Sequence, residues 1–271
     1  MALEHLNPVA EVDWLVPDWP APANVRALCS TRAGGVSEGA YASLNLGDHV
    51  NDDPLAVNAN RAIFALALEC ADGESAHPVF LQQVHGTDLR WLDATTPDGE
   101  EADACATRMP QTACVIMVAD CLPVLFCKRD GSAVAAAHAG WRGLAGVAGR
   151  GGVLEKVVAE LGGGSDLLAW LGPCIGQDAF EVGAEVRAAF CAHDVAAASH
   201  FLPQGNDKYC ADLAALARQR LAAAGVRHIH GNDSSAAWCT VSQPSRFFSY
   251  RRDQRALGAS GRLAAAVWID S

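Results

Sequence analysis

The chain has 271 residues, 51% hydrophobic and 19% charged, the composition of an ordinary globular protein. Asp and Glu number 31 against 20 Lys and Arg, a formal net charge of -11, which argues against a general nucleic-acid binder with its basic face. No stretch approaches a membrane-spanning helix, and the start MALEHLNPVAEVDWLVPDW has acids and prolines where a signal peptide is basic and then apolar.

The expected address is therefore cytoplasmic. In chain order, VRALC (25–29) reads as the first strand, followed by the glycine-rich loop STRAGGVSEGAYASLNLGDHV. A helix is predicted from near Asn51, with Asn or Asp as cap and Pro54 in its first turn, running through AVNANRAIFALALEC. PVFLQQVHG and DLRWLD are short extended pieces, and TPDGEEADA is an acidic loop. ACVIMVADCLPVLFCK reads as a strand, an interruption and a second strand, with Pro123 marking a break or an edge. SAVAAAHAG is another extended run. GLAGVAGRGGVLEKVVAELG has helical apolar spacing, LLAWLG is a strand ending in the turn GPCIG, and VGAEVRAAFCAH and CADLAALARQRLAAAG are helices. VRHIHG and RLAAAVWI close the series as strands.

Strands outnumber helices and do not alternate with them strictly. The expectation is one α/β (α+β) domain over 1–271, mixed sheets packed as a sandwich with outer helices and about 20 N-terminal residues peripheral. No strand is followed by GxGxxG or GxxxxGKS, which disfavours a doubly wound nucleotide fold. The 10 cysteines include no CxxC pair and several lie in apolar runs, so most read as small core residues of a reducing compartment.

Asp120 and Cys121 in VADCLPVLF interrupt an apolar run, and a carboxylate and a thiol in such a place are costly unless used. His85 in LQQVHG and His138 in AAAHAGWRG also end apolar strands, with glycines close behind. Two imidazoles and a thiolate suit zinc, and three protein ligands leave a fourth position for water or substrate. Asp120 could orient an imidazole, accept a substrate proton or simply cap backbone amides. Each residue also has a structural reading, as a hydrogen-bonded histidine or a core cysteine. The pair Cys121 and His138 could equally form a cysteine-hydrolase dyad, which leaves His85 surplus.

Arg32, Arg142 and Arg251 are flanked by glycine or aromatic residues and suit bidentate recognition of phosphate or carboxylate. Arg252 reads as a structural partner of Asp253, and Trp141 as a packing residue.

The segments STRAGGVS, SLNLGDHVNDDPLAVNANR, FLQQVHG, ADCLPVLF, AAHAGWRG, LGPCIG with FEVG, and FFSYRRD together resemble the YfiH-type proteins, formerly called laccase-domain or polyphenol-oxidase proteins. The resemblance implies a single-domain α/β sandwich, zinc held by His85, Cys121 and His138, and phosphorolysis of adenosine, inosine and methylthioadenosine with adenosine deamination as a second reaction. On that basis a small nucleoside and phosphate are the expected partners, with no nucleic acid and no membrane, and the chain is expected as a monomer or weak homo-oligomer. Arg32 and Arg142 become candidates for phosphate, Asn45 for ribose hydroxyls, and Asp120 for proton transfer alongside Cys121 and His138. Copper-dependent phenol oxidation is disfavoured, because a trinuclear cluster needs many more clustered histidines than this chain's 9 scattered ones. A metal-assisted hydrolase of a nucleotide-linked metabolite stays open. So does a non-enzymatic partner-binding protein whose zinc is sealed by a fourth donor such as Cys174 or His49. Two departures stand out, QDAFEVG after GPCIG and the long link RRDQRALGASGR.

Overall fold

A computed structural model describes residues 12–146 and 151–270. In chain order the elements are β1 Val25–Cys29, α1 Pro54–Leu66, β2 His77–Phe80, β3 Leu89–Leu92, β4 Ala104–Thr107, β5 Thr112–Val118, β6 Leu122–Lys128 and β7 Val134–Ala139. They continue with α2 Trp141–Ala145, α3 Val153–Glu160, β8 Leu167–Leu171, β9 Glu181–Gly183, α4 Ala184–Cys191, β10 Phe201–Gly205 and β11 Lys208–Ala211. The last are α5 Leu213–Ala223, β12 His228–Gly231, α6 Tyr250–Leu257 and β13 Leu263–Ile269.

Two mixed sheets form the centre, in the orders β12-β8-β6-β7-β4-β3 and β1-β13-β5-β2, with β10-β11-β9 as a small third sheet. Alternation along the strands decides what each face covers. In β6, Leu122, Val124 and Phe126 pack with Val157 of α3 and Leu216 of α5, while Leu125 and Cys127 face Cys114 and Ile116 of β5. In β5, the intervening Val115 and Met117 join Phe64 of α1 and Trp268 of β13 in a third core. The layers are thus helices, six-stranded sheet, four-stranded sheet and α1. Strands buried on both faces read as unbroken apolar runs, as TACVIMV and LPVLFCK do.

Asp53 caps α1 by accepting the Leu55 N–H at 2.9 Å, with Pro54 in the first turn. The predicted helix over GLAGVAGRGGVLEKVVAELG is divided into α2 and α3, and its middle, 147–150, lies outside the described residues. The N-terminal segment, expected to be peripheral, is described from residue 12; there Leu15 bridges Cys29 and Trp14 packs on Phe64.

The structure corrects two expectations. ACAT, four small residues that follow the acidic loop without a strand signal, forms β4, because all four are buried between β3 and β7. Pro123 lies inside β6, an interior strand; its carbonyl accepts the Gly172 N–H at 2.9 Å, and its missing donor falls next to the strand start where the loss is small. The break is one turn earlier, at Asp120, whose φ is 86°. No helix of the described residues is long and apolar enough to cross a membrane.

Candidate metal centre

Positions in the ladder bring the sequence candidates together. β6 and β7 run antiparallel with Leu122 opposite Ala139 and Pro123 opposite His138. Cys121, just before β6, therefore stands beside His138 near the end of β7. His85 arrives on the segment after β2 with a backbone φ of 62° and stays exposed at the mouth of the cluster. The donor atoms of His85, Cys121 and His138 all lie within 4.8 Å of one another. Cys121 Sγ is 3.7 Å from His85 Nε2, close to the edge of about 3.5 Å that tetrahedral zinc with its usual bond lengths requires. The two imidazoles meet edge to face with centroids 4.7 Å apart.

One buried carboxylate builds this arrangement, and it is Asp103. Its Oδ1 lies 2.7 Å from His138 Nδ1 and also accepts the His85 N–H at 2.9 Å. Its Oδ2 accepts the N–H groups of Val84 at 3.1 Å and Gly86 at 2.6 Å. Asp103 thereby fixes the turn that carries His85 and pins His138 so that Nε2 is free to ligate. Although burial opposes ionisation, the His138 ring and the backbone donors leave its pKa below the usual carboxylate value.

The space at the centre agrees with a bound cation. A Cβ at Gly140 would come 2.8 Å from His85 Cδ2 and 3.1 Å from Cys121 Sγ, so this glycine leaves open the space among the donors. Burial alone pushes the Cys121 thiol up, but His138 and His85 outweigh it and bring the pKa down to about 6. Burial likewise opposes charge on His138, which Cys121 and Asp103 nevertheless raise to about 9. Among the described residues, no fourth His, Cys, Asp or Glu joins the three donors. Soft thiolate with imidazole is a donor set that fits zinc.

The solved structure of Neisseria meningitidis protein NMB0706 matches this chain with a TM-score of 0.82 and 47% identity, over 95% of this chain and 99% of that one. A family model described as multi-copper polyphenol oxidoreductase laccase matches residues 26–270. The chain is 51% identical over 258 residues to purine nucleoside phosphorylase PA4543 of Pseudomonas aeruginosa, covering 94% of this chain and 98% of the relative. It is 48% identical over 256 residues to purine nucleoside phosphorylase YfiH of Escherichia coli, with 94% and 98% covered. The chain belongs to the YfiH-type family.

The other candidates of this YfiH-type chain divide by what their polar atoms already do. Of the roles open to Asp120, the structure shows the capping of a backbone amide: it takes the Arg251 N–H on Oδ2 at 2.6 Å and Thr240 Oγ1 on Oδ1 at 2.5 Å, while Asp103 holds the imidazole. Arg32 donates Nε to Ala42 O at 3.0 Å and Nη1 to Pro244 O at 2.9 Å, and lies over the Phe248 ring. Asn45 is fully buried; its amide donates to Gly47 O and Asp52 Oδ2, and its Oδ1 accepts from Gly47 and Arg262 N–H. A ribose hydroxyl would find no free position on it.

Arg251 reaches the carbonyls of Ala179 and Glu181, whereas Arg142 is exposed and stacks on Trp141. Arg252 pairs with Asp253 at 2.7 Å. Cys174 turns away to Asn232 Nδ2 at 3.3 Å, and His49 sits beside Asp48, so neither seals the centre. All 10 cysteines are free thiols. Asp103 escaped the sequence reading because it closes an acidic stretch; the signal was its setting between Ala102 and Ala104, a lone carboxylate starting a buried run.

Proposed function

We propose that the chain is a zinc-dependent purine nucleoside phosphorylase acting on adenosine, inosine and methylthioadenosine, with adenosine deamination as a side reaction. The observation that carries this reading is the three-donor cluster of His85, Cys121 and His138, with no fourth His, Cys, Asp or Glu donor among the described residues. The printed names of the Pseudomonas and Escherichia relatives supply the reaction class.

In phosphorolysis a phosphate oxygen bonds to C1′ of the ribose as the bond to the purine nitrogen breaks, and the base leaves with that electron pair and takes up a proton. When bound, zinc supplies a Lewis acid that stabilises charge developing on the departing group. His85, Cys121 and His138 would hold the ion, with Asp103 keeping the His138 ring in its ligating tautomer and Gly140 keeping the space among them open. Asp120 acts as a brace through Thr240 and Arg251.

Adenosine with and without phosphate tests the reading. Base release that requires phosphate supports phosphorolysis, and inosine formed without base supports deamination. Metal analysis of chelator-free protein should give zinc; copper in its place, or turnover of neither kind, sinks the proposal. A second reading, a cysteine hydrolase, has the low Cys121 pKa of about 6 in its favour. It predicts a covalent intermediate on Cys121 and turnover that survives metal removal.

A further inference from the structure

The link RRDQRALGASGR ends in an arginine that the site described above does not use. Leu263 pairs with Val118 in the antiparallel ladder of β13 and β5. One step further along, Arg262 comes level with Ala119, two residues before Cys121. It therefore emerges at the same end of the sheet as the metal donors.

The side chain is held in place by contacts that spare half of its fork. Its backbone N–H donates to Asn45 Oδ1 at 2.8 Å. Its stem lies on Gly47, where a Cβ would come 2.6 Å from Arg262 Cγ. Nη1 donates to Ser260 O at 2.9 Å and to Gly261 O at 3.1 Å. Nε and Nη2 make no hydrogen bond among the described residues, and those two groups are the edge with which arginine grips a tetrahedral oxyanion. The guanidinium lines a cavity of about 450 Å³ together with Tyr41, His49, Tyr250, Gln254 and Ser260. On its wall His49 stands close enough to both Arg262 and Arg61 for burial and these two charges to keep its pKa below the ordinary histidine value.

We propose that Arg262 is the phosphate-binding arginine, presenting Nε–H and Nη2–H to inorganic phosphate in the cavity shared with His49. Its role as a co-substrate site rests on the phosphorolysis reading above. Of the other candidates, Arg32 has spent Nε and Nη1 on carbonyls, Arg251 leans on Ala179 and Glu181, and Arg142 is stacked on Trp141 and does not line this cavity. The two ends of the longer link thus divide the labour, one bracing Asp120 and the other facing the cavity.

Calorimetric titration of the metal-loaded full chain with inorganic phosphate tests this directly, without turnover. Arg262→Gln should weaken binding at least about tenfold, and Arg262→Lys by less, because it keeps the charge but loses the fork. Metal content and circular dichroism should match the unaltered protein; if Arg262→Gln fails to fold, the lysine variant carries the comparison. In turnover the KM for phosphate should rise while that for nucleoside stays. Equal phosphate affinity in the unaltered protein and the Arg262 variants, no phosphate binding at all, or loss of binding in Arg142→Gln alone would each overturn the proposal. Base release indifferent to phosphate in the unaltered protein would instead sink the phosphorylase reading, and calorimetry would still decide the site.

Discussion

Asp103 and His138 meet at 2.7 Å between Oδ1 and Nδ1, and the same carboxylate receives the backbone N–H groups of three successive residues, Val84, His85 and Gly86. Asp103→Asn separates these jobs. The asparagine oxygen can still accept from Val84 and Gly86 in the place of Oδ2, but its NH₂, in the place of Oδ1, leaves the His85 N–H without its acceptor, points a hydrogen at Nδ1 and drives the ring proton to Nε2, the ligating nitrogen. We expect metal affinity to fall by about 10–100-fold with the fold retained. Competition with a chromogenic chelator measures it, and unchanged affinity would remove Asp103 from the centre.

How much of this was legible beforehand follows from the range of each signal. His85, Cys121 and His138 stood out because each is polar at the end of an apolar run, a local contrast. Asp103 stood in an acidic surrounding that masked it. Strands β9 and β11 are only three and four residues long, and β10 contains Pro203 and Gly205. Too short to show periodicity, they exist because they pair with one another. FFSYRRD offered conspicuous arginines, but its first task is to start α6, with Ser249 accepting the Arg252 N–H at 3.2 Å. Asn45 was a ribose candidate only through the family resemblance; its contacts to the distant Arg262 and to Asp52 reveal a loop brace.

The three donors act as a unit. Chelator treatment should remove about one metal ion per chain and abolish turnover, and adding zinc back should restore it. Single alanine replacements of His85, Cys121 and His138 should each leave purified protein without metal. Full metal occupancy in any one of them would mean that residue is not a ligand.

Gly140→Ala tests the room among the donors. Its methyl group would overlap His85 Cδ2 at 2.8 Å, and His85 is the exposed member able to yield. We expect metal affinity and activity to drop at least about tenfold, as for displaced ligands elsewhere. The melting temperature of the metal-free protein should barely change, which distinguishes a local clash from unfolding.

Thiol reactivity should single out Cys121 in metal-free protein. Its pKa of about 6 means that the thiolate fraction, and with it the iodoacetamide rate, rises through pH 6 and levels above pH 7. Burial holds Cys29 and Cys127 near 12, so they remain unreactive across that range. Mass spectrometry after timed alkylation reads this out. Bound metal should protect Cys121, and a midpoint near the ordinary thiol value of about 8.5 would contradict the assigned surroundings.

Asn45→Ala should act on stability before it acts on the metal. It strands the buried N–H groups of Gly47 and Arg262, a loss of about 2–4 kcal/mol. The melting temperature should fall by about 5–10 °C, with metal content unchanged in the folded fraction. Arg262 loses an anchor in the same variant, so phosphate binding should weaken beside it.

All three candidate donors lie between residues 85 and 138, yet the peptide that carries Cys121 is clasped from far downstream. Asp120 offers its carbonyl to Ile175, one carboxylate oxygen to Thr240 and the other to Arg251. A shortened chain ending before Thr240 would retain the whole donor set and still lose its shape. The last third of the polypeptide works as a keystone, setting limits on where a nick, a graft or a circular rearrangement can fall.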